Sequence, residues 1–234
     1  MIDRQALAVN LQAVRERINA AERACGREVG SVSLLPVSKF HPLEEVQAVA
    51  DLGVTLVGEN REQEAREKAA QLQHCGIAMI GQIQTKKANS VARWAAEVHS
   101  LDSAKLAHGL DRGMALALER GDRTSAELPC LIQVSADGDA SRGGIPASGL
   151  DELADVVEQA EHLRFAGLMV VPPLGADTRA VFSEVRSLVD AYSQRTGHSL
   201  AFSAGMSADF EEAIACGSDI VRVGTAVFGS RPVR

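Results

Sequence analysis

Short apolar runs alternate with longer amphipathic ones along almost the whole chain. Residues 2–24 carry Leu7, Leu11, Val14 and Ile18 at helical spacing, with Arg and Glu between them, and Cys25-Gly26 closes the segment. That spacing predicts an amphipathic helix ahead of the first strand. Apolar runs of strand length then fall at 32–37, 54–57, 77–80, 97–100, 130–134, 163–171, 200–203 and 220–223. Helical patterns lie between them at 42–53, 61–72, 91–94 (the end of a short helix), 103–119, 150–160, 181–192 and 210–215. Strands that alternate with helices favour a parallel sheet. Eight such units fit a closed (β/α)8 TIM barrel better than an open doubly wound sheet. The expected fold is therefore a single α/β barrel domain, residues 1–234, with an extra N-terminal helix.

In such a barrel every strand's carboxyl end faces one mouth, where ligands bind. The first strand runs into Lys39, so a lysine stands at that mouth. A solvated lysine opening a loop is the plain alternative. Asn60 follows the second strand, Ser203 and Ser207 follow the seventh, and Arg222 with Gly224-Thr225 ends the eighth. Loops after strands seven and eight of this fold commonly hold a phosphate through backbone N–H groups and hydroxyls. A lysine facing a phosphate pocket suggests pyridoxal 5′-phosphate (PLP) held as a Schiff base. The amine must be deprotonated to attack an aldehyde, which partial burial beside cations favours. Arg222 is placed to meet the pyridine nitrogen and keep it unprotonated; an ion pair closing the rim is the other reading of it.

Composition narrows the picture further. At 46% hydrophobic and 24% charged residues the chain is ordinary for a folded protein, which argues against disorder. A net charge of −7 disfavours nucleic acid as the main partner. Cys25, Cys75, Cys130 and Cys216 are far apart, so neither a zinc site nor a redox pair is suggested, and the six histidines have no ligand spacing. The polar N-terminus is unlike a signal peptide, and no apolar run approaches membrane-spanning length, so a cytoplasmic protein without a membrane partner is expected.

Several stretches together resemble the pyridoxal phosphate homeostasis protein family. They are Pro36-Val-Ser-Lys39, Gly58-Glu-Asn60-x-x-Gln63-Glu64, Ile80-Gly81-x-x-Gln84-x-x-Lys87, His99-Ser-Leu-Asp102, Leu168-Met169, Ser203-x-Gly-Met-Ser207-x-Asp209 and Val221-Arg222-x-Gly-Thr225-x-x-Phe-Gly229. The resemblance runs in order over nearly the whole chain. It implies a barrel like the N-terminal domain of alanine racemase, with PLP linked to Lys39. Ser207, Gly224 and Thr225 would hold the phosphate with Ser203 close by, Arg222 would face the pyridine nitrogen, and Asn60 would lie near the ring. It also implies a carrier or reservoir in vitamin B6 balance, with PLP-dependent apo-enzymes as recipients and no established catalysis. Arg61, Gln82, Ser135 and Arg142 depart from the family's usual Tyr, His, Asn and Lys, which touches rim contacts more than the cofactor.

Two rivals remain at this stage, an amino-acid racemase and a Schiff-base aldolase. Racemisation needs a second acid/base group on the other face of the cofactor. The one tyrosine, Tyr192, falls in a predicted helix, and only nine residues follow Thr225, so the second domain that supplies such a group in racemases is not expected. For the same reason a monomer is expected. An aldolase would carry no chromophore.

Overall fold

The computed structural model describes residues 3–139 and 142–230. Ile2, the expected first helical residue, lies outside them, as do positions 140 and 141. The elements run α1 (Arg4–Ala24), β1 (Ser33–Pro36), α2 (Leu43–Asp51), β2 (Leu56–Glu59), α3 (Glu62–Ala69), β3 (Gly76–Met79), α4 (Ala88–Trp94) and β4 (Ala95–Leu101). They continue as α5 (Ala104–Glu119), β5 (Leu128–Val134), α6 (Leu150–Gln159), β6 (Leu163–Val170), α7 (Thr178–Thr196), β7 (Ala201–Ser203), α8 (Phe210–Ala215), β8 (Ile220–Val223) and α9 (Thr225–Phe228).

All strand pairs are parallel, in the order β1-β8-β7-β6-β5-β4-β3-β2. Just past their last residues β1 and β2 meet: Val37 bridges Gly58, and the Ser38 N–H donates to the Gly58 carbonyl at 3.0 Å. The sheet thereby closes into the expected barrel. Closure removes the exposed edges that an open sheet would present. The helices cover the outside, and the apolar core fills the layer between them and the strands, with Phe182, Phe202 and Phe210 fully buried.

The added helix α1 is an integral part of that layer. Leu7, Leu11, Val14 and Ile18 form its buried stripe, and Asp3 caps its start by accepting from the Ala6 N–H at 2.9 Å. Near its other end the buried Glu22 accepts from the amides of Gly30 (3.0 Å) and Val32 (2.7 Å) and from the Ser31 hydroxyl (3.2 Å). One carboxylate thus fixes the entry into β1.

Several boundaries differ from those expected, among them β2, β4 and α7. β2 lies at Leu56–Glu59 instead of 54–57, because Glu59 is wholly buried and matched inside by Lys68, which an apolar-run criterion passes over. β4 extends over Ala95–Leu101 instead of 97–100, and the added Ala95 and Leu101 are fully buried at its two ends. α7 is longer than 181–192: Asp177 caps it through the Ala180 N–H at 3.1 Å, and Gly197 ends it in the left-handed region, at φ 75°.

Candidate functional site at the barrel mouth

β1 lies between β8 and β2, so sheet order alone sets the end of the Lys39 strand between Arg222-x-Gly224-Thr225 and Asn60. The Val37 N–H donates to the Val223 carbonyl at 2.9 Å, and a Cβ on Gly224 would sit 3.3 Å from the Val37 carbonyl oxygen. Lys39 itself is half-buried, while both its neighbours are clamped. Ser38 is fully buried, and its hydroxyl donates to Glu59 Oε1 at 2.7 Å. Lys68 Nζ reaches Glu59 Oε1 (2.5 Å), the Ser38 carbonyl (2.9 Å) and Glu64 Oε1 (2.9 Å). Phe40 has φ 70°, a conformation that is costly for an aromatic residue. It is held there by an N–H bond to Glu64 Oε1 at 2.8 Å and by the Arg61 guanidinium 4.8 Å over its ring. The residues that set the Lys39 backbone are therefore Glu59, Glu64 and Lys68. Sequence reasoning read them only as part of a charged helix and a motif.

Ser203 and Arg222 are brought into direct contact. Arg222, only 4% exposed, donates through Nη1 to Ser203 Oγ at 2.8 Å and through Nη2 to the Val170 carbonyl at 2.8 Å. Burial lowers the guanidinium pKa to about 10 against an opposing pull from Asp209, which leaves it charged at neutral pH. The reading of Arg222 as an ion pair at the rim does not hold, because its partners are a hydroxyl and a carbonyl inside the barrel.

The phosphate candidates occupy two adjoining turns. Ser207 is half-buried in the turn after β7, which is held by a bond from the Met206 N–H to Asp209 Oδ1 at 2.6 Å. Gly205 in that turn has φ 90°, and an added Cβ would lie 2.7 Å from Ala213 Cβ and 2.8 Å from Phe210 Cα. Only glycine fits there. Thr225 is exposed and opens α9, so its N–H and that of Ala226 have no partner within the helix. Asn60 lines a cavity of about 220 Å³ at the mouth, together with Gln133, Gly143 and Met169. Its Oδ1 is buried without a hydrogen-bond partner among the described residues. An orphaned acceptor, a deep guanidinium and open amides over a glycine-tight turn fit a phosphorylated, hydrogen-bonding heteroaromatic ligand.

Sequence reasoning collects His99 with the strand ends at the mouth and in a family motif, but reads it as a packing or surface residue. The imidazole is completely buried, with Nδ1 3.3 Å from Ser203 Oγ and Nε2 2.8 Å from Glu97 Oε2. Its i,i+2 spacing from Glu97 along a strand was the available signal, since alternate residues share a face.

Barrel and site together define the class: a (β/α)8 barrel of the alanine racemase N-terminal type. Residues 2–232 match the family described as alanine racemase, N-terminal domain. The solved alanine racemase of Corynebacterium glutamicum shares the fold at TM-score 0.68, with 16% identity over 99% of this chain and 62% of that one. Much nearer is the pyridoxal phosphate homeostasis protein of Corynebacterium glutamicum, 56% identical over 94% of this chain and all of its own length. Its Escherichia coli K12 counterpart is 36% identical over 96% of this chain and 97% of its own. The structure of PipY of Synechococcus elongatus PCC7942 with PLP bound matches at TM-score 0.80 and 30% identity, over 95% of this chain and all of that one. The chain belongs to the pyridoxal phosphate homeostasis protein family.

Proposed function

We propose that this chain, as one barrel domain over residues 1–234, binds PLP at the mouth, holds it on Lys39 as a Schiff base and hands it on within vitamin B6 homeostasis. The observation that carries this reading is the placement of the buried, charged Arg222 one strand away from the clamped backbone of Lys39. When bound, the cofactor supplies an aldehyde carbon, which condenses with an amine with loss of one water and is freed again by adding it back. The protein's part is positional. Ser207, Gly224 and Thr225 offer hydroxyl and amide donors to the phosphate, Asn60 meets the ring edge, and Arg222 disfavours a proton on the ring nitrogen. An unprotonated ring is a weak electron sink, which suits storage better than carbanion chemistry.

Carrying without turnover also fits the position of the only tyrosine. Tyr192 lies on α7, donates to Asp151 Oδ1 at 2.7 Å and packs edge-on against Phe165, on the outer side of the sheet. Burial and the Asp151 carboxylate push its pKa up to about 12. It is therefore no second base for a racemase, the competing reading that the shared barrel favours. Recipients would be PLP-dependent apo-enzymes, and we read the protein as a cytoplasmic monomer; among the described residues no helix is long and apolar enough to cross a membrane.

The test is the absorption spectrum with and without added PLP, followed by borohydride reduction and peptide mapping. An imine band that maps to Lys39, is lost in Lys39→Ala and is unaccompanied by racemase or transaminase turnover is expected. A spectrum unaffected by PLP would overturn the proposal.

A further inference from the structure

Arg222 is the end of a longer polar arrangement. In the strand order β8-β7-β6-β5-β4, four steps separate β8 from β4, so in an eight-stranded barrel they face each other across the axis. The contacts Glu97–His99 (2.8 Å), His99–Ser203 (3.3 Å) and Ser203–Arg222 (2.8 Å) therefore cross the barrel interior, where apolar layers are the rule. Below them is a separate cavity of about 480 Å³ at the amino ends of β1 and β2, lined by Arg15 and Asn19 of α1 and by Ser33, Thr55, Glu97 and His99. The Glu97 side chain is 30% exposed, so the lower end of this arrangement meets solvent on the face opposite the mouth.

We propose that Glu97, His99 and Ser203 are positioning residues for Arg222: a one-directional hydrogen-bonded column, reached by protons from the amino-terminal face of the barrel, that fixes the guanidinium at the cofactor site.

The direction follows from donor inventory. A guanidinium only donates, so Ser203 Oγ accepts from Arg222, and its own O–H is free to donate to His99 Nδ1. The imidazole proton then lies on Nε2 and points at the Glu97 carboxylate. Every member is satisfied in this one pattern, and such networks hold their members rigidly. A proton added to Nδ1 would break it. Ser203 would then have to accept from His99 and Arg222 together, with two cations on one oxygen. The groups facing His99 are Glu97 on its own strand, Ser203 of β7 and the Arg222 charge of β8. Arg15 shares the lower cavity with Glu97, and Arg164, Arg186 and Asp219 line an adjoining hollow that Glu97 also reaches. Burial, and then Arg222, hold the His99 pKa below its usual range against the pull of Glu97, in keeping with the neutral pattern.

This inference rests on Arg222 serving the PLP site, so its test separates the two. PLP affinity is titrated by absorbance between pH 5 and 8 in the native protein, Glu97→Gln and His99→Phe. In cofactor-free protein the ¹⁵N resonances of His99 are followed over the same range. His99→Phe is expected to weaken PLP binding about tenfold, the size of one or two lost hydrogen bonds, and to abolish the acid limb assigned to His99. Glu97→Gln, which preserves shape, should move that limb down by about one pH unit, because it removes the anion that favours the charged imidazole. The native resonances should report a neutral Nε2–H tautomer at pH 7. An acid limb common to native and Glu97→Gln, or a charged His99 at pH 7, would overturn the column while a Lys39-dependent band left the PLP site standing. Absence of any PLP-dependent band would overturn both.

Discussion

Removing Lys68 should do more damage than its place on a charged helix suggests. Its ammonium, 7% exposed, is the counter-ion of Glu59, which is wholly buried and has one oxygen, Oε2, already without a partner among the described residues. Lys68→Met deletes the contacts to Glu59, Glu64 and the Ser38 carbonyl and leaves a buried carboxylate uncompensated. Breaking a buried pair from one side costs about 3–5 kcal/mol, a large share of the roughly 5–15 kcal/mol that holds a domain together. Glu59→Gln combined with Lys68→Met removes the stranded charge and should recover about 1–3 kcal/mol of that loss. The pH dependence has a fixed sign. Burial raises the Glu59 pKa in the native state, against Lys68 and Ser38. A raised folded pKa contributes stability that is full below the unfolded value and is lost as pH rises through the folded one. Without Lys68 the folded pKa rises further, so Lys68→Met should be destabilised more at pH 8 than at pH 5. Urea unfolding of the two variants and the native protein at both pH values provides the measurement. A single variant that loses under about 1 kcal/mol, or a double variant no better than the single, would refute the argument that this pair is an isolated buried charge set.

Three further outcomes follow from other parts of the barrel. Gly205→Ala should cost about 1–3 kcal/mol or more, seen as a melting temperature lower by several degrees, because it strains φ 90° and drives a methyl into Phe210 and Ala213. An unchanged melt would show that the turn after β7 is free to shift. For Glu22, burial pushes the pKa up, but the Gly30 and Val32 amides, Ser31 and Arg27 outweigh it and the net value is lowered. Its contribution is therefore present above the unfolded pKa and lost as pH falls through the folded one, so Glu22→Gln should flatten the acid side of the stability–pH curve; an unaltered acid side would dismiss the clamp on β1. Cys130, buried and with its thiol pushed up to about 12, should resist a thiol reagent until the protein is unfolded, whereas the exposed Cys25 should react in native buffer. Early labelling of Cys130 by peptide mapping would contradict the closed interior.

The barrel was legible because its apolar runs and helical stripes report burial directly. β8 and α8 lie where the patterns place them, at Ile220–Val223 and Phe210–Ala215. Reading failed where polar groups are inside. A run that ends in Glu59 stops looking like a strand, so β2 was displaced. Glu59 also helps hold the candidate site in place, through Ser38. Lys39, Asn60, Ser203, Ser207, Arg222, Gly224 and Thr225 stood out because strand ends of a barrel collect at one mouth. Their supports did not, because nothing local in a sequence says that Lys68 points inward or that His99 meets Ser203 across 104 residues.

The two buried polar groups divide the work around Lys39. Glu59, Lys68 and Glu64 fix the backbone on both sides of it, through Ser38 and Phe40. Glu97, His99 and Ser203 are arranged behind Arg222 instead. Each set is costly to bury and tolerable only when nearly every donor and acceptor is met, which makes each stiff. Lys39 is itself half-buried at the rim. If PLP binds as proposed, a rigid frame beside a half-buried lysine favours a cofactor that is held in one pose and yet released by hydrolysis. A closed racemase site would need the reverse, with water excluded and a second base opposite the lysine.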